Sequence, residues 1–137
     1  MSVEAEAGGI AIPWSAALEI KLLTCGEGLA SLRMPWREDL AHDGDDAAPG
    51  AVASLVDHAC GVAVMSQLSR SVLISTINLK IDHIRPGGQR CCVTAWAHCY
   101  WFNQQRAFVR AEVWDHDPND FFAVAQAVFS INRGIAA

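Results

Sequence analysis

An almost unbroken apolar run, AVASLVDHACGVAVMSQL from Ala51 to Leu68, holds a carboxylate and an imidazole, Asp57 and His58, at its centre. Its 18 residues exceed the usual strand length, and small or apolar side chains lie on every face of the helix they predict. Such a helix belongs inside a fold; it is too short, and too polar at mid-length, for a membrane span. A carboxylate placed there must be desolvated, paired or used chemically, because burying an unpaired charge is costly.

The rest of the chain can enclose such a helix. Its 137 residues predict one domain with a real core, and 52% apolar content with five Trp argues against disorder. A net charge of -5 without a basic stripe argues against nucleic-acid binding. Arg85 and Arg90 remain a local positive pair for small anions. The opening MSVEAEAGGIAIPW lacks the basic region and apolar core of a signal peptide. Cys25, Cys60, Cys91, Cys92 and Cys99 are odd in number and form no C-x-x-C pair. Reduced, mostly buried thiols in a cytoplasmic protein are therefore expected, with no metal and no membrane association.

Residues 1–16 read as a leader and 17–137 as the domain. Strands are predicted over Ala17–Cys25 and Leu29–Trp36 around Gly26-Glu27-Gly28, a hairpin signal. A polar, acidic loop over Arg37–Gly50 ends at Pro49-Gly50, a helix start signal. After the helix come strands over Val72–Ile84, Cys91–Phe102, Ala107–Asp115 and Phe121–Asn132, the first ending at the strong turn Arg85-Pro86-Gly87-Gly88. This order predicts an α+β fold with one helix against an antiparallel sheet.

Three stretches carry a family resemblance: PGAVASLVDHACG, INLKIDHIRPGG, and NQQRAFVRAEVWD followed by FFAVAQAVFS. Together they resemble the hotdog-fold thioesterases of the PaaI-like, phenylacetic-acid-degradation type, over roughly 17–132. The resemblance implies an antiparallel sheet wrapped around one long central helix. It also implies homodimers with a continuous sheet, commonly paired into homotetramers, and an acyl-CoA site between protomers. The implied activity is hydrolysis of a small, medium-chain or aromatic acyl-CoA, with CoA part of the substrate and no separate cofactor.

Thioester hydrolysis needs a base or nucleophile, donors for the oxyanion and a grip on CoA. Asp57 stands where the family places its helix carboxylate; a buried Asp bonding a backbone group is the bland alternative. The family's helix entry, His-Gly-Gly, is here Ala48-Pro49-Gly50. Proline has no N–H, so the oxyanion donor passes to Gly50 at the helix N-terminus. Thr76 aligns with a hydroxyl that supports the nucleophilic water, or is an ordinary strand residue. Asn78, two residues on, is expected on the same face. For CoA, the resemblance implies the turn His83, Arg85, Pro86, Gly87 and Gly88, and the segment Trp101, Asn103, Gln104 and Arg106. The arginines would meet phosphates, the glycines allow close approach, and Trp101 or Phe102 stack on adenine.

Other patterns point elsewhere less strongly. His58, about 100° around the helix from Asp57, is expected to pack rather than form a dyad with it. Cys60 is expected to be a small buried residue rather than a nucleophile. DHDPND over 115–120 imitates a calcium loop but lacks its glycine and final glutamate, and reads as a turn. The competing function is a hotdog module that binds acyl-CoA or an aromatic ligand without turning it over, favoured by Pro49.

Overall fold

The computed structural model describes residues 13–41, 43–68 and 72–132. A short helix α1 (Pro13–Ala17) precedes the hairpin β1 (Lys21–Gly26) and β2 (Leu29–Met34). Two single-turn 3-10 helices, Glu38–Leu40 and Asp43–Asp45, lead into the long helix α2 (Pro49–Met65). Then follow β3 (Leu73–His83), β4 (Val93–Phe102), β5 (Arg106–Trp114) and β6 (Ala123–Asn132). Each expected element exists, with ends moved by a few residues, except that β1 begins at Lys21. Residues 18–20 instead turn out of α1, where Leu18 N–H donates to Trp14 O and Ile20 N–H to Ser15 O. Most of the expected leader, 1–12, lies outside the described residues. No described helix is long and apolar enough to cross a membrane.

The strands form one antiparallel sheet in the order β1-β2-β4-β5-β6-β3. α2 lies against its inner face and touches every strand. The inner face is built largely of alanine: Ala95 and Ala97 on β4, Ala107 and Ala111 on β5, Ala123, Ala125 and Ala127 on β6, all buried. Small side chains there let the sheet curl closely around a helix that contributes the larger Leu55, Val56, Val62 and Val64. This is the hotdog arrangement that the family resemblance implies.

Both ends of α2 are locked by partners distant in sequence. At the C-terminus, Ser66 Oγ donates to Ala63 O and accepts from Gly28 N–H, while Gln67 Nε2 reaches Cys99 O. Gly28, at φ +83°, sits under Gln67 where a Cβ has no room. At the N-terminus, Ala47 N–H donates to Gly87 O and Ala48 N–H to Leu40 O. Pro49 occupies the first helical position, where its missing N–H costs nothing to the helix.

Candidate functional site

α2 is not enclosed on every side. Ten of its residues are buried, but Gly50, Ser54, Asp57, Gly61 and Met65 are exposed or half-buried. Their spacing of four, three, four and four residues makes a single stripe along the helix. Asp57 is therefore half-buried on the side of the helix that the core leaves uncovered. Thr76 on β3 meets it there: Thr76 Oγ1 donates to Asp57 Oδ1 at 2.8 Å. One carboxylate oxygen is thus oriented, and the other is left for a second partner.

Seven residues toward the N-terminus, Gly50 is exposed with open space on its Cα face. Its N–H finds no acceptor among the described residues; the first-turn bonds to Ala48 O come from Ala51 and Val52. It is an available donor at the positive end of the helix dipole. Between the two lies Ser54, whose Oγ donates to Gly50 O at 3.1 Å and accepts the Trp14 indole N–H at 2.7 Å. Sequence reasoning passed over Ser54 and Trp14. The i, i+4, i+7 spacing of Gly50, Ser54 and Asp57 was a signal for Ser54; nothing local signals Trp14.

Seven residues of α-helix rise roughly 10 Å. Gly50 N–H and Asp57 of one chain are thus too far apart to hold the same carbonyl group.

Asn78 does not face the same side as Thr76. Thr76 pairs with Phe129 and Asn78 with the adjacent Val128, leaving Ile77 as a bulge. The extra residue reverses the alternation, so Thr76, Leu79, Ile81 and His83 share the inner face while Asn78, Lys80 and Asp82 point outward. Asn78 is separated from Asp57 by the sheet.

The turn after β3 is occupied by its own contacts. Arg85 Nη1 and Nη2 each lie 3.3 Å from an Asp115 carboxylate oxygen; Nη2 also bonds Asp120 O at 3.0 Å and pairs with its carboxylate at 3.3 Å. Gly88 N–H and His116 N–H complete the shell of Asp115, whose side chain is 7% exposed. Burial alone would raise that carboxyl, but the bonds from Arg85, His116 and Gly88 outweigh it and hold it at about 2. The Arg85 guanidinium is raised in turn by its bond to Asp115. Gly87 and Gly88 are buried: a Cβ on Gly87 would overlap the Phe122 ring, and Gly88, at φ +71°, is pressed against Val93 and Ala47. Their glycine character serves packing here. His83 and Pro86 remain exposed. Arg90, the other expected anion partner, pairs with Asp45 at 3.0 Å and lies over the Trp36 ring.

The second expected CoA segment is freer. Asn103 Oδ1 accepts from Gln105 N–H and Arg106 N–H, both at 2.8 Å, which shapes the β4–β5 turn. Arg106 has no carboxylate partner among the described residues; its Nη1 caps Gln105 O. Gln104 is exposed, and Trp101, 50% exposed, stands edge-on to Phe108. The two segments lie at opposite ends of the sheet. Arg106 is level with Ser130 and His83 with Ala123, seven residues and about 23 Å apart along β6.

All five thiols are free, but against the expectation of mostly buried thiols only Cys60 and Cys99 are buried, and Cys25 is exposed. Burial pushes Cys60 far up, and Asp57 adds to the effect. Burial likewise raises Cys91 and Cys99. Cys91, Asp115 and His116 bring potential metal ligands together, with Cys91 Sγ 3.7 Å from His116 Nε2. The Asp115 oxygens there are already taken by Arg85 and two N–H groups. The segment 115–120 is a turn, closed by Asp120 N–H on Asp117 O and Asn119 N–H on the Asp117 carboxylate. His58 is buried.

Comparison with known proteins places this geometry in context. The model of the thioesterase superfamily matches residues 47–121, from the helix entry to the start of the last strand. A Halobacterium salinarum protein that carries an esterase name is 34% identical over 74 residues, covering 50% of this chain and 49% of that relative. The chain thus matches about half the length of that relative. Among solved structures, a conserved protein of Pseudomonas aeruginosa superposes with TM-score 0.82 at 24% identity, covering 93% of this chain and 98% of that one. The Escherichia coli PaaI protein from the phenylacetic acid degradation operon gives 0.80 at 21%, covering 90% and 86%. A mutant of the phenylacetic acid degradation protein PaaI from Thermus thermophilus gives 0.77 at 23%, covering 87% and 98%. At these identities the structural likeness is one of fold.

Proposed function

The chain belongs to the thioesterase superfamily, and from that premise we propose that it hydrolyses acyl-CoA thioesters with Asp57 as general base or nucleophile. The observation that carries this is the Thr76–Asp57 hydrogen bond in the open stripe of α2. As base, the free Asp57 oxygen takes a proton from water as that water attacks the thioester carbon. The oxyanion accepts a hydrogen bond from Gly50 N–H, the C–S bond breaks, and CoA leaves as the thiol once protonated.

Because Gly50 and Asp57 of one chain are roughly 10 Å apart, the complete site takes Gly50 from a second copy. β3 lies at the edge of the sheet, and Ile77 is 52% exposed there. Antiparallel pairing of two β3 edges sets the His83 end of one copy beside the Leu73 end of the other. It thereby brings the partner's helix entry toward Asp57 and one CoA segment of each chain toward the other. This reading is a homodimer, its dimers pairing to a homotetramer, with Trp101, Gln104 and Arg106 the CoA contacts that remain available. The cytoplasm is its compartment, on the odd cysteine count.

A second reading has one specific observation behind it. Pro49 stands where an N–H donor is expected, and an oxyanion donor is typically worth about 10²–10³ in rate. A protein without a working donor would bind acyl-CoA and release little thiol. Thiol release from acetyl-, hexanoyl-, phenylacetyl- and palmitoyl-CoA by wild type and Asp57→Asn separates the two. Release from at least one that vanishes in the variant supports hydrolysis; CoA binding without release supports the binding module.

A further inference from the structure

Trp14 is 57% exposed although it sits on a well-anchored element. Its neighbours Ser15 and Leu18 are buried, its carbonyl accepts from Leu18 N–H, and the Arg37 guanidinium reaches Ala17 O. Its indole N–H is held at 2.7 Å by Ser54, a residue 40 positions away on the stripe of α2. Ser54 is one helical turn from Gly50 and less than one turn from Asp57, whose Cβ lies roughly 5–6 Å from its own. A large indole fixed in orientation, with its polar atom satisfied and its ring uncovered, offers an apolar contact surface beside the reacting groups.

We infer that Trp14 is a wall of the acyl subsite. It selects acyl groups whose apolar body reaches the indole, with Ser54 the positioning residue that aims the ring. This rests on the proposed thioester site, in which Asp57 beside Ser54 works with Gly50 of a second copy. The ligand class is an acyl-CoA with a ring or a chain of about six carbons, as against acetyl-CoA, whose methyl group stops short of the ring.

The test compares kcat/KM for phenylacetyl-, hexanoyl- and acetyl-CoA in wild type, Trp14→Phe, Trp14→Ala and Ser54→Ala. Removing the wall lowers the ratio of phenylacetyl- or hexanoyl-CoA to acetyl-CoA by about tenfold or more in Trp14→Ala, with a smaller fall in Trp14→Phe. In Ser54→Ala the same ratio falls through KM while kcat holds. A uniform loss for all three substrates, or a ratio unchanged within about twofold, overturns the proposal. So does a change of oligomeric state with selectivity intact, which would make Trp14 a contact between copies. If Trp14→Ala does not fold, Trp14→Phe and Ser54→Ala still decide. A binding arm separates this inference from the thioesterase reading. The non-hydrolysable phenylacetyl-CoA thioether should perturb wild-type tryptophan fluorescence beyond the effect of CoA alone, and Trp14→Phe should lose that excess. If wild type hydrolyses nothing yet shows the excess, hydrolysis fails and the wall stands; if the excess persists in Trp14→Phe, the wall fails.

Discussion

Asp57 and Thr76 are 19 residues apart in sequence and 2.8 Å apart in space, and the value of that bond is measurable. Asp57→Asn keeps the shape and removes the base, so thiol release should fall about 10²–10⁴-fold while CoA affinity changes little. Thr76→Ala leaves the carboxylate in place but unoriented, and should cost about tenfold, the equivalent of one ordinary hydrogen bond. Thr76→Ser should restore most of it. Equal losses in the alanine and serine variants would show that the hydroxyl is not what matters. Asp57 stood out in the sequence because an acid in an apolar helix demands an explanation. The face on which Asn78 lies was misjudged because alternation holds only until a bulge intervenes, and nothing at Ile77 announces one.

The elements around the site are held by a few side chains whose chemistry the local sequence conceals. Arg85-Pro86-Gly87-Gly88 reads as an exposed turn suited to phosphates, yet its arginine and glycines are consumed by Asp115, Phe122, Val93 and Ala47. Gly87→Ala should destabilise the fold by about 1–3 kcal/mol, the usual cost of overpacking, read as a lowered unfolding midpoint. Phe122→Leu in the same chain should return part of the loss. Asp115 makes stability pH-dependent in a defined direction. Its folded pKa, about 2, lies below the ordinary carboxylate value, so its contribution is present above about pH 4 and is lost as pH falls toward 2. Chemical unfolding between pH 5 and 2 should show this slope in wild type and a flatter one in Asp115→Asn.

At the scale of the whole molecule, the separation of complementary groups is the main constraint. One chain places Gly50 and Asp57 two helical turns apart and its two expected CoA segments at opposite ends of the sheet, which is why the proposed site is assembled across the β3 edge. Subunit mixing checks it. Gly50→Pro, which removes the N–H at a first-turn position that tolerates proline, and Asp57→Asn should each be nearly inactive alone. A refolded equimolar mixture should regain about one quarter of wild-type activity, since half the dimers are mixed and each holds one intact site. No recovery would place both groups of a working site on one chain. Ile77→Lys, at the exposed edge, should shift sedimentation toward monomer and lower thiol release in parallel.

What the sequence determined by itself was the set of elements and their order. A helical apolar run, alternating strands and glycine-bearing turns are local patterns, written in neighbouring residues and in the burial each period demands. Tertiary structure decided which faces and ends those elements share. The bulge that turns Asn78 away, the carboxylates that occupy Arg85 and Arg90, and the serine that holds Trp14 over the helix all depend on partners distant in the chain. Such pairings are set by sheet register and packing over the whole fold, which no local pattern encodes.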